Sequence, residues 1–245
     1  MKKGLGAWLG FLLTSLFLWG AYWTVRGPWF SISKVDINLD PTSSQDVLFE
    51  RIRADLQEEI KSYYGQKAWD ISIKNVLVQV ETDPRVKKAS VIRQFPDGLT
   101  IRIKPRDPVL GLRDNRGLIH PVASDGSLLP PLAPLDAPDL PYLWGDEFFK
   151  KPEMRLRAIK LIEEMPAQGR VSVASISEIH YRLKEGFALF LIGKNPKILV
   201  GENGFKKKVG RIEQVLDYLD EHQIEGRVID ARFSKKVVVR LRNHL

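Results

Sequence analysis

The longest apolar stretch of the chain covers residues 5–25, twenty-one residues without a charge. A helix needs about 20 apolar residues to cross the hydrocarbon core of a bilayer. Trp8 lies near one end of the stretch, and Trp19, Tyr22, Trp23 and Trp29 lie near the other, where aromatic rings settle among the lipid headgroups. The pattern therefore predicts a transmembrane helix from Leu5 to Val25.

Basic residues before this helix predict its orientation. Lys2 and Lys3 precede the apolar stretch, and basic residues favour the cytoplasmic side of a membrane. We therefore expect residues 1–4 to be cytoplasmic and the rest of the chain after the helix to be exported. One alternative is a cleaved secretory signal, which needs small residues where the bulky segment Trp19–Trp23 stands. The other is a buried soluble helix, which is rarely apolar all round over such a length.

Beyond the predicted anchor, the chain first shows the period of a half-buried strand. Within the run Phe30–Leu39, apolar and polar residues alternate from Lys34 onward, which predicts a strand with one covered face. Apolar residues then recur about every four positions in two stretches, which predicts two amphipathic helices. The first helix is expected to end before Gly65. The second is expected to open at Trp69 and to end before Asp83, because a residue that precedes proline disfavours helical backbone.

Two β-rich runs complete this first module. Val86–Arg93 and Leu99–Ile103 are joined by the turn sequence Phe95-Pro96-Asp97-Gly98, in which proline pre-sets φ and glycine accepts a positive φ. The predicted order of elements is thus β-α-α-β-β. Such a unit can bury both helices on one face of a small sheet.

The second half of the chain combines short strands with two helices. The proline-rich stretch Pro130–Pro141 cannot be a helix or a central strand. Amphipathic helices are predicted over Pro152–Met165 and from Phe205 to Leu219. The predicted strands are Val109–Leu112, Leu118–Val122, Ser127–Leu129, Glu178–Leu183, Phe187–Ile192, Lys197–Val200, Val228–Phe233 and Val237–Leu241. The fold class is therefore α+β: a transmembrane helix, a β-α-α-β-β module, and a β-rich domain whose mixed sheet is backed by helices.

Composition narrows the classes of function. Hydrophobic residues make up 44% of the 245 residues, enough for a core, and the absence of cysteine excludes disulfides and thiolate chemistry. The formal net charge of +8 is spread along the chain: residues 31–105 carry 12 basic and 11 acidic side chains, and residues 106–245 carry 23 and 19. Because no segment is a basic stripe, we do not expect nucleic-acid binding.

The sequence contains no recognisable motif of catalytic residues. The four histidines are scattered at His120, His180, His222 and His244. They lack the spacing of metal ligands, and the sequence has no G-x-S-x-G, H-E-x-x-H or phosphate-binding glycine motif. Asp114 and Asp125 stand in turn sequences, where aspartate is common without a catalytic role. We therefore expect a protein that is not an enzyme and has no catalytic residue, cofactor, metal ion or small-molecule substrate.

The last predicted strand is the best candidate for a binding surface. Val237–Leu241 is the final β-rich run and follows Ser234-Lys235-Lys236, so it is predicted to lie at a sheet edge with unpaired N–H and C=O groups. Such an edge can pair with a strand from a partner protein. The main-chain hydrogen bonds between the two strands give affinity, and alternate side chains of the added strand give specificity. The residues alone leave an alternative open: Phe233 and the valines face the core, and the lysines guard the edge against aggregation.

A second candidate is a cluster of basic residues at the start of the last helix. Lys206, Lys207 and Lys208 fall in its first turn, and Arg211 lies one turn beyond Lys207. Exposed cations there oppose the helix dipole at a cost of about 0.3–1 kcal/mol each. An acidic partner would relieve this cost. A solvated run of charges is the alternative.

The stretch from Pro84 to Ile101, PRVKKASVIRQFPDGLTI, resembles the signature of the FtsQ/DivIB family of bacterial cell-division proteins, and the β-α-α-β-β order resembles the POTRA module. The matching positions are Pro84, Val86, Ala89, Val91, Arg93, Pro96 and Leu99, followed by Arg106, Pro108 and Val109. Two positions depart from the pattern: Arg85 stands where the family usually has tryptophan, and Pro105 where it usually has glutamate. Leu140–Gly145 resembles a stretch inside the family's second domain, so the resemblance covers essentially the whole chain.

The resemblance implies a domain plan and a function. Residues 1–4 would be a cytoplasmic tail, 5–25 the anchor, 28–105 a POTRA-like domain that aids recruitment, and 106–245 the FtsQ-type β domain. The protein would be a bitopic divisome scaffold of the inner membrane, with its C-terminal domains in the periplasm at the division septum. It would bind the division proteins FtsB and FtsL through its β domain and help recruit and regulate septal peptidoglycan synthesis.

The same resemblance implies which residues bind the partner. In the family, the FtsB-binding region begins with an acidic residue, an arginine and usually a tyrosine; Asp230 and Arg232 match, and Phe233 replaces the tyrosine. Basic residues on the last helix of the family's β domain face the partner. The implied partner site consists of Asp230, Arg232, Phe233, Ser234, Val237, Val238, Val239, Lys207, Lys208 and Arg211, and the membrane-anchor residues are Leu5, Trp8, Trp19 and Trp23.

Two other classes of function compete with a division scaffold. A POTRA-bearing transport or chaperone component would hold extended polypeptides by strand addition. It would show repeated POTRA units or a C-terminal barrel of many alternating strands, whereas this sequence has one such unit. A cell-wall hydrolase would need a catalytic acid or a metal cluster, which the motifs of the sequence do not supply.

Overall fold

The computed structural model describes residues 12–20, 22–23, 27–40, 46–193 and 196–242. Residues 12–20 and 22–23 are helical, and their large apolar side chains are exposed. Much of the predicted anchor, including Leu5 and Trp8, lies outside the described residues, so the anchor stays a prediction. Within the described ranges, no helix combines the length and the apolar character that a membrane crossing requires.

The chain divides into two compact units, of which the first ends at Pro105 and the second begins at Arg106. The first unit has the predicted β-α-α-β-β order. Its elements are β1 (Lys34–Leu39), α1 (Asp46–Ile60), α2 (Ile73–Thr82), β2 (Val86–Gln94) and β3 (Gly98–Pro105). Strand β3 lies in the centre of a three-stranded sheet, parallel to β1 and antiparallel to β2.

The second helix of the first unit begins later than predicted. The sequence pattern suggests a start at Trp69, but α2 begins at Ile73. The reason is a side-chain cap, since the hydroxyl of Ser72 accepts a hydrogen bond from the N–H of Asn75 at 3.4 Å. Trp69 lies in the preceding turn and is 43% exposed.

Arg85 has an ionic role in the first unit. Its guanidinium pairs with Asp83 and with Asp55 of α1, each at 2.6 Å between nitrogen and oxygen. The hydrogen bonds to Asp83 are the main reason that the pKa of Arg85 lies above its ordinary value. A charged group held by two carboxylates thus links the start of β2 to α1.

The second unit is a mixed sheet of eight strands with helices packed on it. The strands are β4 (Pro108–Arg113), β5 (Ile119–Ala123), β6 (Tyr142–Trp144), β7 (Ile176–Arg182), β8 (Gly186–Leu191), β9 (Lys197–Gly201), β10 (Gly226–Asp230) and β11 (Val238–Leu241), and the helices are α3 (Glu147–Lys150), α4 (Pro152–Glu163) and α5 (Phe205–Glu221). The order across the sheet is β11-β10-β9-β8-β7-β6-β4-β5. Buried residues of α4 and α5 share one hydrophobic core with the strands, so the predicted mixed sheet backed by helices is confirmed.

Short elements of the second unit differ from the sequence prediction. The run Ser127–Leu129 is not a strand, because Leu128 forms an isolated bridge to Val122 and no continuous ladder. The helix α3 and the strand β6 were not predicted. Elements of four and three residues are too short for apolar periodicity to reveal them.

The proline-rich stretch covers one edge of this sheet. Ile119 of β5 and Leu132 exchange two main-chain hydrogen bonds, at 2.9 and 2.8 Å. The N–H of Leu129 also donates to the carbonyl of Pro121 in β5 at 2.8 Å. Outward-facing groups of β5 are thus satisfied by the chain itself, and Leu129 and Leu132 are buried.

Candidate partner-binding edge

Strand β11 forms the opposite edge of the sheet, the position that the sequence pattern predicts for it. It pairs with β10 in antiparallel orientation, and within the described ranges no strand lies beyond it. An edge strand has a row of unpaired N–H and C=O groups that can pair with another chain. Because the edge at β5 is covered, β11 is the edge of this sheet that is open to a partner.

The hydrogen bonds of β10 show which groups face β11. The N–H of Ala231, just past the end of β10, donates to the carbonyl of Leu199 in β9 at 2.9 Å. The main-chain groups of successive residues in a strand face opposite sides. The groups of Asp230 and Val228 therefore face β11.

This alternation divides β11 into inward-facing and outward-facing residues. Val238 and Arg240 lie opposite Asp230 and Val228, so their main-chain groups bond to β10. The N–H of Arg242 continues the alternation, donating at 2.9 Å to a carbonyl just before β10. The main-chain groups that face the open edge are those of Val239 and Leu241.

A groove of about 410 Å³ lies between β11 and α5, beside the open edge. Its lining is mostly apolar and carries cations at the rim. The lining residues are Val215, Tyr218, Leu219, Ile224, Val237, Val239 and Leu241, with Arg211, Gln214, Lys235 and Lys236. A strand added to β11 would direct alternate side chains to the helix side of the sheet, where this groove lies.

The loop between β10 and β11 presents an exposed aromatic ring. The predicted strand Val228–Phe233 ends at Asp230, so Phe233 lies in the loop. Its side chain is 45% exposed, and Nζ of Lys236 lies 5.3 Å from the ring centroid. Arg211 of α5 donates to the carbonyl of Ser234 at 2.8 Å and ties the loop to the helix. Phe233 is therefore a surface residue.

The valines of β11 have mixed roles. Val237 and Val239 are half-buried and pack against the core, as the alternative of inward-facing valines predicts. Val238 points to the other face of the sheet and is 38% exposed. The strand thus contributes to the core through one set of side chains and keeps its outer main-chain groups open.

The assignment of Asp230 to the partner surface is corrected by the structure. Its side chain is 6% exposed and binds Arg232, with Nε to Oδ1 at 2.9 Å and Nη2 to Oδ2 at 2.6 Å. This hydrogen-bonded guanidinium lowers the pKa of Asp230. Asp230 therefore positions Arg232 at the start of the loop and does not itself reach a partner.

The assignment of Lys208 is also wrong, because this side chain is buried. It is 8% exposed, and its Nζ donates to the carbonyls of Val200 and Asn203, each at 2.7 Å. Burial lowers the pKa of Lys208. Lys208 lies three residues after buried Phe205 and so falls on the inward face of α5. Lys207, the next residue toward the N-terminus, is exposed.

Two groove residues of α5 were not predicted from the sequence. Val215 and Tyr218 lie three residues apart beside the buried stripe of this helix, and Tyr218 is 54% exposed. The signal was present in the sequence, because these two residues widen the apolar arc of the helix beyond what its core contacts need.

The histidines make local contacts. His180 stacks on Trp144, with ring centroids 5.8 Å apart, and its Nε2 lies 2.6 Å from a carboxylate oxygen of Glu178. Nε2 of His120 lies 3.4 Å from Asp114. In the part of the chain that the structure describes, no group of three or more His, Asp or Glu side chains is arranged to hold a metal ion.

Both units match known families. Residues 52–106 match the family "POTRA domain, FtsQ-type", and residues 112–232 match the family "Cell division protein FtsQ/DivIB, C-terminal". The Cell division protein FtsQ of Geobacter sp. (strain M21) is 27% identical over 195 residues, which cover 75% of this chain and 70% of that protein. The Cell division protein FtsQ of Geotalea daltonii is 24% identical over 183 residues, which cover 72% and 66% of the two chains.

Proposed function

Because the chain belongs to the FtsQ/DivIB family of cell division proteins, we propose that it is an inner-membrane scaffold of the divisome. In this proposal the second unit binds FtsB, acting together with FtsL, through the open edge of β11. The protein acts by binding rather than by catalysis. It helps to recruit and regulate the synthesis of septal peptidoglycan, and the first unit aids recruitment.

The proposed membrane anchor is the uncharged stretch from Leu5 to Val25, with the N-terminus in the cytoplasm and residues 28–105 and the second unit in the periplasm. Lys2 and Lys3 before the stretch support this orientation. The large apolar side chains of the described helix between Leu12 and Trp23 are all more than half exposed. Water is a poor environment for so continuous an apolar surface, and lipid is a favourable one.

The observation that carries the partner proposal is an open strand edge with an apolar groove beside it. A partner strand would bond to the outward main-chain groups of Val239 and Leu241. Its apolar side chains would fill the groove between β11 and α5. Cations at Arg211, Lys235 and Lys236 border this groove, so acidic side chains on FtsB would favour association and its correct register.

Replacing Val239 by proline tests strand addition directly. The full-length chain in detergent is titrated calorimetrically with the periplasmic segment of FtsB. Val239→Pro removes an N–H that faces the open edge and spares the donors to β10. Leaving one partner carbonyl unsatisfied costs about 1–3 kcal/mol, so we expect binding about 5- to 150-fold weaker.

Val239→Ala is the matched control, because it shortens the side chain and keeps the N–H. It should weaken binding less than proline does. Hydrogen exchange of the amides in β10 shows whether the β10–β11 pair persists in each variant. Unchanged affinity in Val239→Pro, with this pair intact, would refute strand addition at β11.

A further inference from the structure

An aromatic cluster in the first unit is not explained by the partner edge. Trp29 is 73% exposed and Trp69 is 43% exposed. The ring of Phe30, the residue after Trp29, packs on Trp69 with centroids 5.4 Å apart. Large apolar rings grouped at a surface mark a site of contact with another phase or molecule.

Main-chain bonds fix the loop that carries Trp69 beside the segment that carries Trp29. Ala68 donates its N–H to the carbonyl of Phe30 at 2.8 Å, and Ser31 and Lys67 form an antiparallel bridge. The ammonium of Lys67 also donates to the carbonyl of Gly27. The two tryptophans are therefore carried on segments that are held together, although they are 40 positions apart in the sequence.

The cluster follows directly on the apolar helix. The N–H of Gly27 donates to the carbonyl of Trp23 at 2.8 Å, and Trp29 lies six positions after Trp23, which is helical. The headgroup layer on each side of the hydrocarbon core is roughly 5–7 Å thick. A residue so close to the end of a spanning helix emerges within or beside that layer, which is where tryptophan rings settle.

We infer that Trp29, Phe30 and Trp69 form a membrane-contact face that inserts into the phospholipid headgroup layer and holds the first unit against the bilayer. The inference rests on the proposed anchor. We assign the bilayer as the partner of this face, because Trp29 and Phe30 directly follow the proposed anchor and therefore lie close to the lipid surface. Contact through both segments would restrain the first unit from turning about the single anchor.

Nitroxide accessibility in vesicles tests the inference on the full-length chain. The chain has no cysteine, so each single-cysteine variant carries one label. Trp29→Cys and Trp69→Cys are labelled and reconstituted in vesicles of phosphatidylethanolamine and phosphatidylglycerol. Collision with oxygen, which concentrates in lipid, is compared with collision with a water-soluble nickel chelate. We expect the oxygen-to-nickel ratio to be several-fold higher than for Trp144→Cys, a control whose native side chain is 53% exposed in the second unit.

Two further labels make the outcomes distinguishable. Asp70→Cys, an exposed neighbour of Trp69, leaves the aromatic rings in place and should show the same preference for oxygen. Leu16→Cys reports on the anchor itself. If position 16 lies in lipid while positions 69 and 70 behave like 144, the membrane-contact face is wrong and the anchor stands. If position 16 also behaves as aqueous, the anchor proposal fails together with the inference.

Discussion

Lys207 and Lys208 are neighbours in the sequence, yet replacing each of them by methionine should affect different properties of the protein. Lys208→Met removes a buried ammonium that donates to two carbonyls at 2.7 Å. Lys207→Met removes an exposed charge from the first turn of α5. The first change should lower the stability of the second unit, and the second should affect only the encounter with an acidic partner.

The magnitude for Lys208 follows from its contacts. A hydrogen bond from a charged donor contributes about 1.5–3 kcal/mol, and each carbonyl left buried without a partner costs about 1–3 kcal/mol. Methionine also relieves the unfavourable burial of the charge, which is the effect that lowers the pKa of Lys208. Because these contributions partly cancel, we expect a net loss of about 2 kcal/mol. Lys207→Met should change stability by less than about 0.5 kcal/mol.

Hydrogen exchange measured by mass spectrometry on the intact, detergent-solubilised chain checks both values. The central strands β8 and β9 report on opening of the second unit by itself, and a loss of about 2 kcal/mol makes their slowest amides exchange about 30-fold faster. Lys207→Met should leave this rate within about twofold and should reduce the salt dependence of FtsB binding. If Lys208→Met exchanges like the wild type, the buried hydrogen bonds of Lys208 do not stabilise the unit as argued.

Three further predictions concern the second unit. Asp230→Asn removes a carboxylate whose pKa Arg232 lowers from its ordinary 3.8, and the stability gained from this ion pair is present above pH 3.8 and lost as the pH falls through the folded-state pKa. The variant should therefore be less stable than the wild type at neutral pH, and its stability should depend less on acid. Hydrogen exchange measured at several pH values would contradict this if the variant and the wild type gave the same profile. Gly186→Ala should lower the free energy of unfolding by about 2 kcal/mol or more, because φ is +73° and a Cβ would lie 2.5 Å from the backbone of β9. Gly210→Ala should raise it by about 0.5–1 kcal/mol, because a Cβ at this position of α5 would meet no atom within 4 Å. Equal midpoints of unfolding in urea for the two variants would refute the contrast. Arg155→Met should lower the free energy of unfolding in urea by about 2–4 kcal/mol, because the buried guanidinium donates to two carbonyls at 2.6 and 2.7 Å. A loss below about 0.5 kcal/mol would show that these hydrogen bonds contribute little.

Apolar periodicity predicted the elements whose burial follows a regular repeat. The order of the first unit and the long helices α4 and α5 were anticipated because their inward residues recur with the helical or strand period. The start of α2 was displaced because one hydroxyl, that of Ser72, caps the helix. Strand β6 was missed because its three residues lie between partners that are distant in the sequence.

In the candidate site, the sequence pattern predicts the edge strand but not which of its neighbouring charged side chains are buried. The edge position of β11 was predicted from its place as the last β-rich run, and Phe233 is on the surface. A run of lysines does not reveal that Lys208 turns inward while Lys207 stays exposed, because that depends on the rotation of α5 against the core. The internal pairing of Asp230 with Arg232 depends in the same way on a turn of the backbone after β10.

The cover that the proline-rich stretch places over β5 has a consequence for how many chains can join this sheet. A polymer built by adding strands head to tail needs two open edges on every copy, and here one edge is already occupied by Leu132 and its neighbours. Self-association through the sheet of the second unit therefore stops when two β11 edges meet, as a closed pair rather than a fibre. Such a pair would occupy the same edge that a partner strand needs. A homodimer through β11 and a complex with a partner strand at β11 would therefore be mutually exclusive states.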